Sequence, residues 1–195
     1  HYALYRKKMR YLKKIQNASA LSLTVSFLTV LFIVHLLIIQ NIGLGVDESH
    51  YAMYALHLDW SYFDHPPLVG WLLGLVSLIG FSDVNIRLVC LIIMSINSLL
   101  LFCLTKKIYP KNQYTGLLAV CLFNLSAVIQ YISFAIVPDV PLMTFLLLLA
   151  IVLVDMHNDN HLCQWLSFGV LFGLAGLSKY TVIAMPVALT IWLYF

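Results

Sequence analysis

The sequence predicts an all-α membrane protein with several transmembrane helices, and three observations support this prediction. Hydrophobic residues make up 62% of the 195 residues, and the mean hydropathy is +0.94. Charged residues make up only 10%, whereas soluble domains carry about 25%. Uncharged apolar runs close to the length of a bilayer-spanning helix, about 20 residues, recur along the chain.

Six apolar segments are predicted to cross the membrane after a basic N-terminal segment, residues 1–20. Their predicted bounds are 21–42, 86–104, 114–137, 141–154, 162–177 and 181–195. The first run is longer than a signal-peptide core and no cleavage site follows it, so we predict a retained helix. Because the chain begins at His1 and ends within an apolar run, we expect residues 21–195 to be an incomplete transmembrane domain.

A further apolar stretch, residues 67–79, is about 13 residues long, which suits an interfacial or re-entrant helix better than a membrane span. We therefore predict that residues 43–85 form one outer loop with juxtamembrane helices.

Basic residues indicate the orientation. If residues 67–79 do not cross, nine of the 11 basic residues lie on one side of the membrane. These are Arg6, Lys7, Lys8, Arg10, Lys13, Lys14, Lys106, Lys107 and Lys111. Because positive residues collect in short cytoplasmic loops, this side and the N-terminus are predicted to be cytoplasmic. Only Arg87 and Lys179 fall on the outer face.

Acidic residues show the opposite distribution. Only Asp155 and Asp159 fall on the inner side, and six lie on the outer face: Asp47, Glu48, Asp59, Asp64, Asp83 and Asp139. Acidic residues contribute little to membrane insertion, so another cause is needed. A functional site on the outer face is such a cause.

Composition also excludes other classes of function. Nucleic-acid binding requires a broad basic face, which is not present. The four cysteines lie in apolar stretches without CxxC or metal-type spacing, so we interpret them as inert buried thiols.

Two adjacent acids, Asp47 and Glu48, directly follow the first predicted span. From Glu48 onward, Tyr51 and Tyr54 recur with helical spacing. Asp47 has two interpretations: it caps the helix, or it acts as a general base or a metal ligand. Spacing alone leaves both interpretations open, and it does not separate the roles of the two acids.

Asp64 and His65 precede two prolines, which restrict the backbone and would hold both side chains at the interface. The alternative is a solvated turn with an incidental histidine.

The remaining candidates lie near predicted helix ends. Arg87 either anchors the second span by snorkelling or contacts a phosphate. Asp139 lies between Pro138 and Pro141 in a very short loop, and a charged residue at membrane depth is a functional candidate. Lys179 either snorkels or binds a lipid phosphate.

Taken together, these residues share one predicted face and combine acids with phosphate-binding cations, which suits an anionic lipid-linked substrate. The alternative function is that of a transporter or flippase fragment. Such a protein would place charges deep within its spans, whereas the span centres here are apolar.

Four motifs, in this order, resemble the N-terminal half of the membrane glycosyltransferases of the dolichyl-phosphate-mannose–protein mannosyltransferase and aminoarabinose transferase-like superfamily, which has the GT-C fold. The motifs are Asp47-Glu48-x-x-Tyr51, Asp64-His65-Pro66-Pro67-Leu68, Pro138-Asp139-Val140-Pro141-Leu142 and the segment Gly173–Tyr180. The resemblance covers roughly residues 20 to 195, which is less than half of such an enzyme.

The resemblance implies a GT-C-type helical bundle that transfers a hexosyl or pentosyl group from a polyprenyl phosphate, of undecaprenyl type in bacteria. The acceptor would be a lipid, glycan or protein at the periplasmic face of the inner membrane, in contact with membrane lipids. The implied site consists of catalytic Asp47, Glu48 and Asp139, donor-phosphate ligands His65, Lys179 and Arg87, and Asp64 as ligand of a divalent metal. His65 stands where the aminoarabinose branch has lysine. We expect the isolated fragment to be inactive.

Overall fold

The computed structural model describes residues 2–112, 114–158 and 161–194, and these residues form helices joined by short connections. The helices are α1 (Tyr2–Ile39), α2 (Val46–Leu56), α3 (Leu68–Val76), α4 (Asp83–Ile108), α5 (Thr115–Leu125), α6 (Ala127–Phe134), α7 (Asp139–Asn158), α8 (Leu162–Ser178) and, after a 3-10 turn at Tyr180–Ile183, α9 (Ala184–Tyr194). No strand occurs among the described residues, so the prediction of an all-α fold is confirmed. Asp159 and residue 195 of the last predicted span lie outside them.

Three of the described helical segments are long and apolar enough to cross a membrane: Ser19–Ile39, Asp83–Ile108 and Asp139–His157. The bent pair α5–α6 makes a fourth if its two helices form one broken span rather than a re-entrant loop. Helix α8, with 17 residues, and helix α9, with 11, lie at the last two of the six predicted spans, and that number of spans stays a prediction. The extended Lys179 and the 3-10 turn that follows it separate the two helices.

Helix α4 is the centre of the bundle. It contacts α1, α3, α5, α6 and α7, and α7 packs in turn against α8. Inside the bundle, the amide nitrogen of Asn97 donates to the carbonyl of Val140 at 3.1 Å, and the Thr144 hydroxyl donates to the Asn97 side-chain oxygen at 2.7 Å. These bonds join α4 to the first turns of α7, and they satisfy a fully buried amide in an apolar interior.

The segment 114–137, predicted as one span, is instead two helices bent by 73° at Ser126. The bend frees the carbonyl of Asn124, which accepts a hydrogen bond from the side chain of Gln130 at 2.5 Å. The side-chain oxygen of Gln130 lies 2.7 Å from Nε2 of His35 on α1. The side-chain nitrogen of Asn124 donates to the hydroxyl of Ser98 on α4 at 3.0 Å. A broken helix is tolerated at membrane depth because side chains of neighbouring helices satisfy the freed backbone.

Helix α3 has nine residues and is therefore about 14 Å long, which is less than half of a bilayer core of about 30 Å. It packs against α2 and α4. Gly70 is required for this packing, since a Cβ there would lie 2.5 Å from the Tyr62 hydroxyl and 3.0 Å from the Cβ of Tyr54.

The two ends of the bundle differ in charge. Asp139 is the first residue of α7, and Asp155, about 24 Å further along the helix, lies near its other end. Asp155 pairs with Lys107 of α4, and Asp139 pairs with Lys179. We refer to the end with Asp139 as the acidic end and to the end with Lys107 as the basic end.

Candidate active site at the acidic end

A buried ion pair links α2 to α4 at the acidic end. The Arg87 guanidinium donates from Nε to Glu48 Oε1 at 2.8 Å and from Nη2 to Oε2 at 2.5 Å. It also donates to the carbonyls of Ile42 and Gly43, just after α1, at 2.5 and 2.7 Å. Both side chains are less than 10% exposed.

The carboxylate of Glu48 and the guanidinium of Arg87 thus satisfy each other's charge and hydrogen-bonding groups. Burial raises the pKa of Glu48, but the hydrogen bonds and charge of Arg87 and the backbone amides of Gly45 and Ile136 outweigh burial, so the pKa is lowered and the carboxylate stays ionised. Glu48 was predicted as catalytic and Arg87 as a phosphate ligand. Both roles stay predictions. In the structure the two side chains pair, because a fork-shaped guanidinium matches a carboxylate in this buried position.

The neighbouring acid, Asp47, has the opposite environment. It is exposed and lies in the first turn of α2, which begins at Val46. The helix cap is Gly45, whose backbone N–H donates to Glu48 Oε2 at 2.7 Å, so the interpretation of Asp47 as the cap does not hold. Among the described residues, Asp47 makes no ion pair or side-chain hydrogen bond.

Asp64 is held by aromatic and imidazole groups. The Tyr54 hydroxyl donates to Asp64 Oδ1, and His50 and His65 flank Oδ2, with nitrogen–oxygen distances of 3.4 and 3.1 Å. The hydrogen bond from Tyr54 is the main reason why the pKa of Asp64 falls to about 2, and the two histidines contribute further. Tyr54 is itself fixed by stacking on Tyr62, with ring centroids 3.7 Å apart. Asp64 is therefore a permanently charged carboxylate with a defined orientation.

His65 lies between Asp64 and Tyr51. Its Nε2 is 3.3 Å from the Tyr51 hydroxyl, and the two rings meet edge to face at 87°. Its Nδ1 is buried and, although close to Asp64, lacks hydrogen-bond geometry. His65 was predicted to bind the donor phosphate, which stays a prediction, and the structure places its ring between Asp64 and Tyr51.

The hydroxyl of Tyr51 is influenced by the charges of three acids of the site. Burial raises the pKa of its hydroxyl, and the negative charges of Asp64, Asp47 and Asp139 raise it further. These carboxylates come from the start of α2, the loop before α3 and the start of α7. The charges of three acids from separate segments of the chain thus act on one protonated phenol.

The cation nearest these acids is Lys179, at the junction of α8 and the 3-10 turn. Its ammonium lies 2.8 Å from both oxygens of Asp139. The backbones beneath are joined by the hydroxyl of Ser178, which donates to the carbonyl of Pro138 at 2.9 Å. Asp139 and Lys179, both predicted as site residues, are therefore direct partners.

Sequence reasoning missed His50 and Tyr62, and it noted Tyr54 only as part of a helical face. The spacing of His50, Tyr51 and Tyr54 on α2 indicated which residues share a side of the helix. It carried no signal that this side meets Asp64, because that contact depends on how residues 57–67 fold back. Tyr62 makes this turn by donating to the carbonyl of Tyr54 at 2.9 Å.

A metal ligand at Asp64 was also predicted. Within the described residues, no group of three or more His, Cys, Asp and Glu side chains is arranged to hold a metal ion. Asp64 would therefore be one protein ligand among oxygens of water and substrate, an arrangement that magnesium commonly adopts.

The fold and this site define a helical membrane protein with an acidic cluster and a paired cation at one end of its bundle. A family model described as dolichyl-phosphate-mannose-protein mannosyltransferase matches residues 64–195, and the chain belongs to this family. It is a membrane glycosyltransferase of the GT-C type, as the sequence motifs indicated. The matched range begins at Asp64, so Asp47 and Glu48 lie outside it. No curated protein and no solved structure gives a significant match.

Proposed function

We propose that this protein transfers a sugar from a polyprenyl phosphate, of the undecaprenyl type, to an acceptor hydroxyl or phosphate on the extracytoplasmic face of a bacterial inner membrane. The observation that carries the proposal is the ion pair of Lys179 with Asp139 at the acidic end, where the charges of Asp47, Asp64 and Asp139 also act on Tyr51. Acids to activate an acceptor and a cation to receive a phosphate are the groups that this transfer requires. Family membership supports the class of reaction.

The distribution of lysines supports the orientation. Lys106, Lys107 and Lys111 lie in or just after the last turn of α4, at the basic end of the bundle, whereas the acidic end holds Arg87 and Lys179 in ion pairs. By the positive-inside tendency, the basic end faces the cytoplasm. The acidic end then faces the periplasm, where sugars on polyprenyl phosphates serve as donors for cell-envelope glycosylation.

In the proposed reaction, Asp47 is the general base. It is exposed and has no competing ion pair among the described residues, whereas Glu48 is held by Arg87. Asp47 takes the acceptor proton as the acceptor oxygen attacks C1 of the sugar. The C1–O bond to phosphate breaks, and the phosphate leaves with the electron pair. Because phosphate leaves as an anion, it needs a cation more than a proton donor, and Lys179 supplies that cation.

The proposed site also includes a divalent metal next to Asp64. Asp64 would bind it, since this carboxylate remains ionised at any physiological pH. When bound, the metal would supply positive charge to neutralise the phosphate. Tyr54 orients the carboxylate whether or not a metal is present.

Replacement of Asp47 in the full-length protein tests the proposal. We expect Asp47→Asn to abolish transfer of sugar from an undecaprenyl-phosphate donor, while membrane insertion is unchanged. Asp59→Asn is the matched control, because Asp59 is an exposed acid of the same outer region. Among the described residues, its carboxylate accepts a hydrogen bond only from the backbone N–H of Trp60, at 2.6 Å. Full transfer by Asp47→Asn would contradict the assignment of Asp47. Absence of transfer by the wild-type protein from every polyprenyl-phosphate sugar would contradict the donor class.

A further inference from the structure

The ion pair between Lys179 and Asp139 has accessible side chains on a buried, hydrogen-bonded backbone. Ser178 and Pro138, whose hydrogen bond joins the two backbones, are both almost completely buried. The charged groups next to them are open, with 28% of the Lys179 side chain and 46% of the Asp139 side chain exposed. A ligand can therefore reach the ammonium, and the partners can separate without movement of the helices.

The pair also blocks both residues while it is intact. The ammonium of Lys179 contacts both oxygens of Asp139 at 2.8 Å, so neither oxygen is free of the cation. An arriving phosphate would compete with the carboxylate for this ammonium. Ion pairs with this degree of exposure are weak because water screens them, so a phosphate can displace the carboxylate at low cost.

We propose that the Lys179–Asp139 pair is an exchange latch, in which the phosphate of the lipid donor takes Lys179 and releases Asp139. The released carboxylate then joins Asp47 and Asp64 near Tyr51, where all three already influence the phenol. The negative potential that favours deprotonation of an acceptor would thus rise only after the donor phosphate is bound. This inference rests on the proposed function and adds to it an order of binding, with the donor first.

The proposed exchange predicts a measurable change in the affinity of the protein for phosphate. If Asp139 competes with phosphate for Lys179, removal of the Asp139 charge must strengthen phosphate binding, although Asp139 lies in the site and its loss lowers turnover. If the pair were only structural, phosphate binding would become weaker instead, because Asp139→Asn would loosen the junction of α7 and α8. The two interpretations therefore differ in the sign of the change in affinity.

The first experiment measures the affinity of the full-length protein in detergent for farnesyl phosphate, a short polyprenyl phosphate. We expect Asp139→Asn to tighten binding about 5-fold or more and Lys179→Gln to weaken it by a similar factor. Asp155→Asn is the matched control, because Asp155 forms the other Lys–Asp pair, with Lys107, at the basic end of the same helix. We expect this control to bind like the wild type.

Unchanged or weaker binding by Asp139→Asn, with normal binding by the wild type, would overturn the latch and leave the proposed function intact. Absence of binding by the wild type and all variants would instead overturn the proposed donor class, and the latch with it.

A second measurement uses the wild-type protein and does not depend on the folding of a variant. Carbodiimide labelling of Asp139, followed by mass spectrometry, is expected to increase when farnesyl phosphate is present, because the carboxylate has lost its cation. Asp59, which has no basic partner among the described residues, serves as the internal reference. Equal labelling of Asp139 with and without farnesyl phosphate would overturn the latch.

Discussion

The guanidinium of Arg87 binds both oxygens of Glu48 and two carbonyls that follow the first span. This relationship separates two acids that are adjacent in sequence, because Glu48 is drawn into the interior while Asp47 stays exposed at the start of α2. It also joins the end of α1 to α2 and α4. The position of the proposed base thus depends on this buried ion pair.

Removal of one partner of this pair is expected to destabilise the protein strongly. Arg87→Met leaves the Glu48 carboxylate buried without a partner, and breaking a buried pair in this way typically costs about 3–5 kcal/mol. The free energy of unfolding in mixed detergent measures the loss. Lys107→Met is the control, since the pair with Asp155 is about 40% exposed and exposed pairs contribute about 0–1 kcal/mol. Equal effects of the two variants would contradict the structural role of Arg87.

We expect the Tyr54 hydroxyl to control how protonation of Asp64 changes the stability of the fold with pH. The pKa of this carboxyl falls from 3.8 to about 2 in the folded protein, so its ionised form stabilises the fold above pH 3.8 and that contribution is lost as the pH falls through about 2. Tyr54→Phe removes the main cause of the shift and raises the pKa. The variant should therefore lose less stability than the wild type between pH 4 and pH 2, as measured by thermal unfolding.

A variant with the same pH dependence as the wild type would show that Tyr54 does not control this carboxylate. Tyr131→Phe controls for the loss of a hydroxyl, because Tyr131 is 70% exposed.

The bend between α5 and α6 is expected to depend on Gln130. Gln130→Leu leaves the carbonyl of Asn124 without its donor in an apolar interior, and an unsatisfied buried group costs about 1–3 kcal/mol. The free energy of unfolding should fall by that amount, whereas Thr29→Val, which removes an exposed hydroxyl bonded only within its own helix, should have little effect. No loss of stability in Gln130→Leu would mean that another group satisfies the carbonyl.

Removal of divalent metal tests the proposed role of Asp64. We expect EDTA to reduce sugar transfer by the full-length protein and added magnesium to restore it. Asp64→Asn is expected to reduce transfer in the presence of magnesium as well, since a neutral amide binds the ion less well. Full activity in EDTA would contradict the metal proposal, but not the assignment of Asp47.

Labelling from one side of the membrane tests the orientation. In a variant without the native cysteines, a thiol introduced by Asp64→Cys should react with an impermeant maleimide added to the periplasmic side. A thiol introduced by Lys111→Cys, at the basic end, should react only after the membrane is opened. Reaction of the position-64 thiol from the cytoplasmic side alone would reverse the proposed orientation.

The class of fold and the candidate residues could be predicted from the amino-acid sequence. Hydrophobic runs and the lysine pattern are local properties, so they predicted a helical membrane protein and placed Asp47, Asp64, Asp139 and Lys179 together on one face. The short apolar stretch of 67–79 was recognised as too short to cross for the same reason, since length alone decides it.

Which of these residues bind each other became clear from the three-dimensional structure. The partners of Glu48 and Asp139 lie 39 and 40 positions away in the chain, and periodicity carries no information about such pairs. The bend at Ser126 was missed for a related reason. Residues 114–137 carry no charge and read as one span, and the break is stabilised by Gln130 and His35, which meet only when α1 contacts α6. Tertiary contacts therefore separated the exposed base from its buried neighbour, because desolvation and pairing depend on position in space.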